Sequence, residues 1–294
     1  MLLAAIDIGS NAVRLLISRV YKVDGKPFFS KEELVRIPVR LGEDVFSTGQ
    51  ISEVKIEKLK NTLTGFKSLM LAYEVANYKA VATSAMRDAQ NGPEIIKALS
   101  EEPGIKITII DGNKEARMVF ETHVEEILNP KQSYMYIDVG GGSTEITIYH
   151  QNSVFASHSF NIGTLRLLLD KVSKNQWDEM KDWVKAKTQT IDSINAIGSG
   201  GNINKLFKMY GKRESQHIGY EKLKQAYETL NTLSVKERIE RLHLKPDRAD
   251  VIVHAAKIYL NIMKQARIER MYVPQVGLSD GLIHELYFET QQTK

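Results

Sequence analysis

The chain reads as an α/β protein built from two similar halves, and three observations carry that reading. The first is an internal echo. Leu3-Ala4-Ala5-Ile6-Asp7-Ile8-Gly9-Ser10-Asn11 followed by the apolar run Ala12–Ile17 is matched further on by Tyr134-Met135-Tyr136-Ile137-Asp138-Val139-Gly140-Gly141-Gly142-Ser143 followed by Thr144–Ile148. Each copy is an apolar strand, an Asp-x-Gly turn and a second apolar strand, the pattern of a hairpin with a tight tip. The second observation is that strand-like and helix-like periods alternate around both hairpins. The third is length: 294 residues with 43% hydrophobic content are ample for a core, and favour two domains over one.

Taken in order, Leu2–Ile6 opens the first hairpin and Lys26–Pro38 is a further strand. Ser52–Tyr73 is a long amphipathic helix with Ser52 as its N-cap. Tyr78–Thr83 and Ile105–Ile110 are short strands, and Asn113–Leu128 is a helix stopped before Pro130. The second half predicts strands at Tyr134–Val139, Glu145–His150, Val154–Asn161 and Ile194–Gly198, with helices at Gly163–Asp170 and Gln176–Thr190. Asp247–Gln265 reads as one long helix, Arg270–Val273 as a strand and Leu278–Glu289 as the last helix. The expected domains are 1–129 and 130–294, with the last helix free to pack back on the first.

Composition excludes several classes. Without cysteine there are no disulfides, thiolate zinc sites or thiol catalysis. A net charge of +4, from 40 basic and 36 acidic residues, is too slight to mark a nucleic-acid protein, but suits an anionic small substrate if the cations cluster. The seven histidines show no metal-ligand spacing, and His254 falls within an apolar helical run, as a core histidine would. No stretch approaches the ~20 apolar residues of a membrane span, and no signal-like segment precedes the first strand. The expectation is a soluble, cytoplasmic protein with neither nucleic-acid nor membrane partners.

The turns carry the chemistry. Gly9 permits close backbone approach to a ligand, and successive N–H groups of such a turn make an anion nest to which Ser10 and Asn11 add side-chain donors. Asp7 would repel a phosphate, so its natural function is to hold a cation; the plain alternative is a capped hairpin turn. Gly140-Gly141-Gly142-Ser143 is a poor strand and a good oxyanion cradle, flanked by Asp138 and Glu145. Two such turns can take adjacent phosphates with a metal between them. A third glycine turn, Gly198-Ser199-Gly200-Gly201-Asn202, leads into a helix and could take phosphate at its N-terminus or be a tight connection only. Thr83, Ser84 and Arg87 join strand-end hydroxyls to a guanidinium that can grip phosphate. Glu115, in a helix's first turn, could be there simply to suit the helix dipole.

These elements, in this order, resemble the exopolyphosphatase and guanosine pentaphosphate phosphohydrolase family, in its short two-domain form. The resemblance spans essentially the whole chain, and rests on the two Asp-x-Gly turns, Thr83-Ser84-Ala85-Met86-Arg87 and Gly112-Asn113-Lys114-Glu115-Ala116-Arg117. It implies two ribonuclease-H-like domains of the actin, hexokinase and chaperone-ATPase superfamily with an interdomain cleft. It implies Mg²⁺-dependent hydrolysis of the terminal phosphate of inorganic polyphosphate, of the 5′-γ-phosphate of guanosine pentaphosphate, or of both. By the same resemblance Glu115 is the general base, Asp138 helps hold Mg²⁺ and water, with Asp7 and Glu145 as further metal residues. The loops at Gly9–Asn11 and Gly140–Ser143, with Thr83, Ser84 and Arg87, hold phosphate. Lys114 stands where relatives often have a second glutamate, Asn202 where they have threonine, and Ser279 where arginine is frequent. Arg166, Lys205, Lys208, Lys212 and Arg213 are candidate cations for a longer substrate tail, or a solvated face. A homodimer is compatible with all this. A non-catalytic polyphosphate or alarmone sensor and an ATP-dependent phosphotransferase are the alternative readings.

Overall fold

The structure, a computed structural model, describes residues 1–120, 129, 132–151, 153–212, 214 and 216–292. The chain forms two compact units, Met1–Thr122 with Gly277–Lys294, and His123–Val276. The C-terminal segment therefore belongs with the first unit. Residues 121–128 of the expected helix, Pro130 and Lys131 at the expected boundary, and Arg213 lie outside the described residues.

The first unit holds a five-stranded sheet in the order β3-β2-β1-β4-β5. Strands β1 (Leu2–Ile8), β2 (Val13–Val23) and β3 (Lys26–Ile37) form an antiparallel meander, while β4 (Asn77–Ala82) runs parallel to β1 and β5 (Ile107–Ile109) parallel to β4. β1 is central and covered on both faces, so Leu3, Ala4, Ala5, Ile6 and Ile8 are fully buried and read as a continuous apolar run. Helix α1 (Leu41–Thr48) was not foreseen in sequence; it follows Arg40, which takes a left-handed conformation. α2 (Glu53–Ala72) buries Leu59, Leu63, Phe66 and Met70, the stripe expected of a 3.6-residue period. Ser52 precedes α2 as expected, but its hydroxyl donates to Asp44 rather than capping the helix amides. α3 (Ser84–Asp88), α4 (Gly92–Glu101, also unforeseen) and α5 (Gly112–Phe120) complete the unit's first segment. The C-terminal helix, Leu278–Gln292, packs on β1, β4 and α5. Its Gly281 lies so close to α5 that a Cβ there would meet the Met118 carbonyl at 2.4 Å. Lys31 pairs with Asp280 at 2.8 Å, and Lys79 with Glu285 and Glu289, all within this unit.

The second unit repeats the meander. Its sheet order is β10-β11-β9-β6-β7-β8. β6 (Ser133–Val139), β7 (Thr144–His150) and β8 (Ser153–Phe160) are antiparallel, and β9 (Ile194–Ser199) is parallel to β6. β10 (His217–Gly219) lies antiparallel to β11 (Arg270–Tyr272), which is parallel to β9. The helices are α6 (Thr164–Leu168), α7 (Lys174–Thr188), α8 (Gly201–Tyr210), α9 (Tyr220–Thr232), α10 (Val235–Leu242), α11 (Pro246–Ala249) and α12 (Ile252–Gln265). Capping boxes at Ser173/Gln176 and Ser234/Glu237 start α7 and α10. α12 is the core helix: Ile252, Ala255, Ala256, Ile258, Tyr259, Ile262 and Met263 are fully buried.

The long helix expected over Asp247–Gln265 is broken into α11 and α12. At the junction the buried Arg238 guanidinium donates to the Leu230 and Ala249 carbonyls at 2.8 and 2.9 Å. The Ala249 carbonyl is thereby engaged by a side chain at the point where a continuous helix would have used it.

Candidate functional site

The two hairpin tips have the same construction. In the first unit the Gly9 amide donates to the Ala12 carbonyl at 3.1 Å, closing the tip between β1 and β2. In the second, the Gly140 amide donates to the Ser143 carbonyl at 3.0 Å, between β6 and β7. Register coincides as well: Ile8 faces Val13 and Asp7 faces Arg14, just as Val139 faces Thr144 and Asp138 faces Glu145.

The shared position below the tip differs in charge. Asp7 is buried, and its carboxylate accepts from Arg14 Nη1 as an ion pair. Asp138 and Glu145 are both buried carboxylates, 9% and 1% exposed, with oxygens within 4.8 Å of each other. Ser159 Oγ donates to Glu145 Oε1 at 2.8 Å. Two adjacent buried oxygen donors of like charge suit a hard divalent cation such as Mg²⁺. Asp7, expected as a third metal residue, is paired with Arg14, its cross-strand partner, which the sequence does not single out. Counting outward from the turn would have found it, because cross-strand partners project from the same face.

The first loop is braced from both sides. The Ser10 and Asn11 carbonyls accept from the Gly42 and Arg40 amides at 2.9 and 3.1 Å. Ser10 and Ser84 share a hydroxyl–hydroxyl bond of 2.8 Å, and the Thr83 amide donates to the Ile8 carbonyl at 3.1 Å. Gly9, Ser10, Asn11, Thr83 and Ser84 are thus brought together. Arg87 is half-buried, and its Nη1 donates to the Ile110 carbonyl at 3.0 Å, tying α3 to the end of β5. Glu115 sits half-buried in the first turn of α5, which is capped by Asp111: its Oδ1 accepts from the Lys114 amide at 2.8 Å. Lys114 itself is exposed.

The glycine loop of the second unit is held from behind. Thr164 and Leu165 amides donate to the Gly140 and Gly141 carbonyls at 3.0 and 2.8 Å. Arg166 Nε donates to the Gly142 carbonyl at 2.8 Å, so this expected tail cation is a brace of the loop. Gly163 lies against the loop so closely that a Cβ would meet Gly141 O and Gly142 C at 2.4 Å.

The third glycine turn backs onto the same place. Ser199 is the register partner of Asp138. Gly200 has φ +110°, and a Cβ on it would meet Val139 O at 3.0 Å and Asp138 Oδ1 at 3.1 Å, so glycine is required by both conformation and space. Tyr259, fully buried on α12, donates its hydroxyl to the Ser199 carbonyl. Burial first, and then the Asp138 charge, push that hydroxyl well above its ordinary pKa, so it remains a donor at neutral pH. Its place in an apolar helix gave no sign of this in sequence. Gly198, Gly201 and half-buried Asn202 complete the turn, with the Gly201 carbonyl accepting from Arg248 at 2.6 Å. Lys205, on α8 beyond the turn, has its pKa lowered by burial first and then by the charges of Arg248 and Lys208.

Comparison with known proteins follows the same lines. A profile of the Ppx/GppA phosphatase family matches residues 31–289. The bifunctional 3-dehydroquinate synthase/phosphatase of Fusobacterium nucleatum is 30% identical over 285 residues, covering 88% of this chain; the chain spans 43% of that protein's length. Exopolyphosphatase 1 of Mycobacterium tuberculosis is 25% identical, with 96% of this chain and 87% of the relative covered. Among solved structures, an exopolyphosphatase from Cytophaga hutchinsonii superposes with a TM-score of 0.85 at 22% identity, covering 98% of each chain. The Aquifex aeolicus Ppx/GppA family member has a TM-score of 0.75 at 27% identity, again covering 98% of each. The two-domain α/β fold is that of these structures, within the actin-like ATPase superfamily, and the chain belongs to the Ppx/GppA phosphatase family.

Proposed function

We propose that this chain is a divalent-metal-dependent phosphohydrolase that releases the terminal phosphate from inorganic polyphosphate, guanosine pentaphosphate or both. The observation that carries the reading is the pair of matched hairpin tips, each a glycine loop set above a buried aspartate, one matched by Arg14 and the other accompanied by Glu145. Membership of the phosphatase family, and relatives named exopolyphosphatase, support it.

Backbone amides of Gly9–Asn11 and Gly140–Ser143 receive phosphate oxygens, with the Ser10, Ser84 and Ser143 hydroxyls as further donors. Asp138 and Glu145 would hold Mg²⁺, which when bound neutralises phosphate charge. Glu115 is the general base: its carboxylate takes a proton from water, whose oxygen attacks the terminal phosphorus. The bond to the bridging oxygen breaks, and its electron pair leaves with the shortened chain. Positioning and charge neutralisation dominate such a transfer, with the base contributing about 10²–10⁴-fold.

The test is phosphate release in Mg²⁺ buffer from long-chain polyphosphate, guanosine pentaphosphate and ATP, in parallel. Wild type should act on at least one of the first two, and Glu115→Gln should bind that substrate normally while turning over about 10²–10⁴-fold more slowly. Near-normal turnover in the variant removes Glu115 as the base. Tight binding without turnover by the wild type would replace the hydrolase with a sensor, and ATP-dependent transfer to an acceptor would replace it with a phosphotransferase.

A further inference from the structure

We propose that the second unit carries a separate nucleoside-phosphate groove, at the end of its sheet remote from the glycine loops. The glycine loops follow the C-terminal ends of β6 and β9, whereas this groove opens where β11 begins and β10 ends. Arg270 at the start of β11 is level with the beginning of β9, about 13 Å below Ser199 at ~3.3 Å per residue.

The groove encloses about 970 Å³, at the upper end of the range for small-molecule sites. Its floor is apolar: Ile218, Met263 and Ile268 line it and are 1%, 0% and 3% exposed. Two half-buried tyrosines, Tyr210 and Tyr220, add aromatic walls. Five cations line the same space, Lys212, Lys222, Lys264, Arg267 and Arg270, against two carboxylates, Glu221 and Glu269. Among the described residues none of those five cations forms an ion pair.

Each part of this lining asks for a different part of one ligand. Unpaired lysines and arginines in a concave site raise the local concentration of anions and bind phosphate oxygens by charge-assisted hydrogen bonds. A bare phosphate chain would leave the apolar floor and the tyrosines without a role. An aromatic base against the half-buried tyrosines gains both stacking and area burial, and stacking is sequence-tolerant because every base has a π-face. A purine nucleoside di- or triphosphate supplies both chemistries at a size the groove accommodates.

The experiment uses the full chain carrying Glu115→Gln, so that turnover does not consume the probe. Equilibrium dialysis would measure binding of GTP, ATP, guanosine and inorganic tripolyphosphate, with and without the added pair Arg267→Glu and Arg270→Glu. Both arginines are exposed, so their reversal leaves the core intact, and circular dichroism checks that. The groove predicts that the double reversal weakens GTP or ATP at least tenfold, while tripolyphosphate affinity changes less than threefold. In an otherwise wild-type chain the reversal should leave phosphate release within twofold. Unchanged nucleotide affinity overturns the proposal, as does an equal loss of tripolyphosphate binding, which would make the patch a general anion surface. Tyr210→Ala gives a second check by weakening nucleotide without affecting tripolyphosphate. If the wild type releases no phosphate from any substrate, the proposed hydrolase fails, yet these binding measurements still decide the groove.

Discussion

Gly163→Ala tests whether the shape of the second glycine loop is set from behind. The added methyl carbon would stand 2.4 Å from both Gly141 O and Gly142 C, and 2.5 Å from Gly141 C. Ordinary contact begins near 3.4 Å, so something must move by about 1 Å. The atoms met are backbone, not the end of a flexible side chain. Gly163 itself is extended, with φ −136°, so alanine suits its conformation and only space is at issue. Overpacking of this kind costs about 1–3 kcal/mol of stability. A displacement near 1 Å at a positioned group costs on the order of 10²-fold in rate, about 2.7 kcal/mol of transition-state stabilisation. The assay is kcat/KM for phosphate release on the substrate the wild type prefers, beside a thermal melt. The matched control is Gly65→Ala inside α2, where a Cβ meets nothing within 4 Å; it should leave the rate unchanged and stabilise by up to about 1 kcal/mol. A Gly163→Ala enzyme within twofold of wild type would refute the argument.

Two further substitutions probe the surroundings of the same sheet. Tyr259→Phe leaves the Ser199 carbonyl without its buried donor, and urea unfolding should register a loss of about 1–3 kcal/mol; unchanged stability would mean the carbonyl finds another partner. His254 on α12 has its pKa lowered by burial first, then by Lys257 and Arg238, against a smaller opposing effect of Asp250. The folded state therefore binds its proton less readily than the unfolded chain, so stability is full above the unfolded pKa of about 6.5 and falls with pH below it. His254→Gln should flatten the decline in Tm between pH 6.5 and 5, and parallel curves for the two proteins would exclude His254 as the cause.

Much of this architecture was legible in sequence because it is local. The hairpin tips announce themselves in Asp-x-Gly flanked by apolar runs, and β1, buried on both faces, reads as an unbroken apolar segment. What escaped was information held across space. Asp7 and Asp138 occupy equivalent places in similar strings, and their cross-strand partners, Arg14 and Glu145, give them different surroundings. At the break between α11 and α12 the Ala249 carbonyl is taken by Arg238, a side chain far enough away in sequence that no local pattern discloses it. Ser52 has the composition of an N-cap, yet Asp44 competes successfully for its hydroxyl. Tyr259 falls in an apolar helical run, and nothing local discloses that its hydroxyl reaches the third glycine turn.

The contrast between the two tips bears on where the proposed cation would bind. Beneath the first loop Asp7 and Arg14 offset one another. Beneath the second, two buried carboxylates lie within 4.8 Å. At an effective dielectric of about 20, their repulsion is roughly 3 kcal/mol when both are ionised. On the proposed reading, a divalent cation held by both carboxylates would offset that repulsion, and its binding would stabilise the folded second unit. Glu145→Gln separates the two halves of this argument. The amide keeps an oxygen to accept from Ser159 but removes one charge. In EDTA the variant should melt at a higher temperature than wild type, and the rise in Tm that Mg²⁺ gives the wild type should be mostly lost. A variant that melts lower in EDTA, or keeps the full Mg²⁺ response, would show that Glu145 stabilises the sheet by means other than a cation and would leave Asp138 to hold the metal without it.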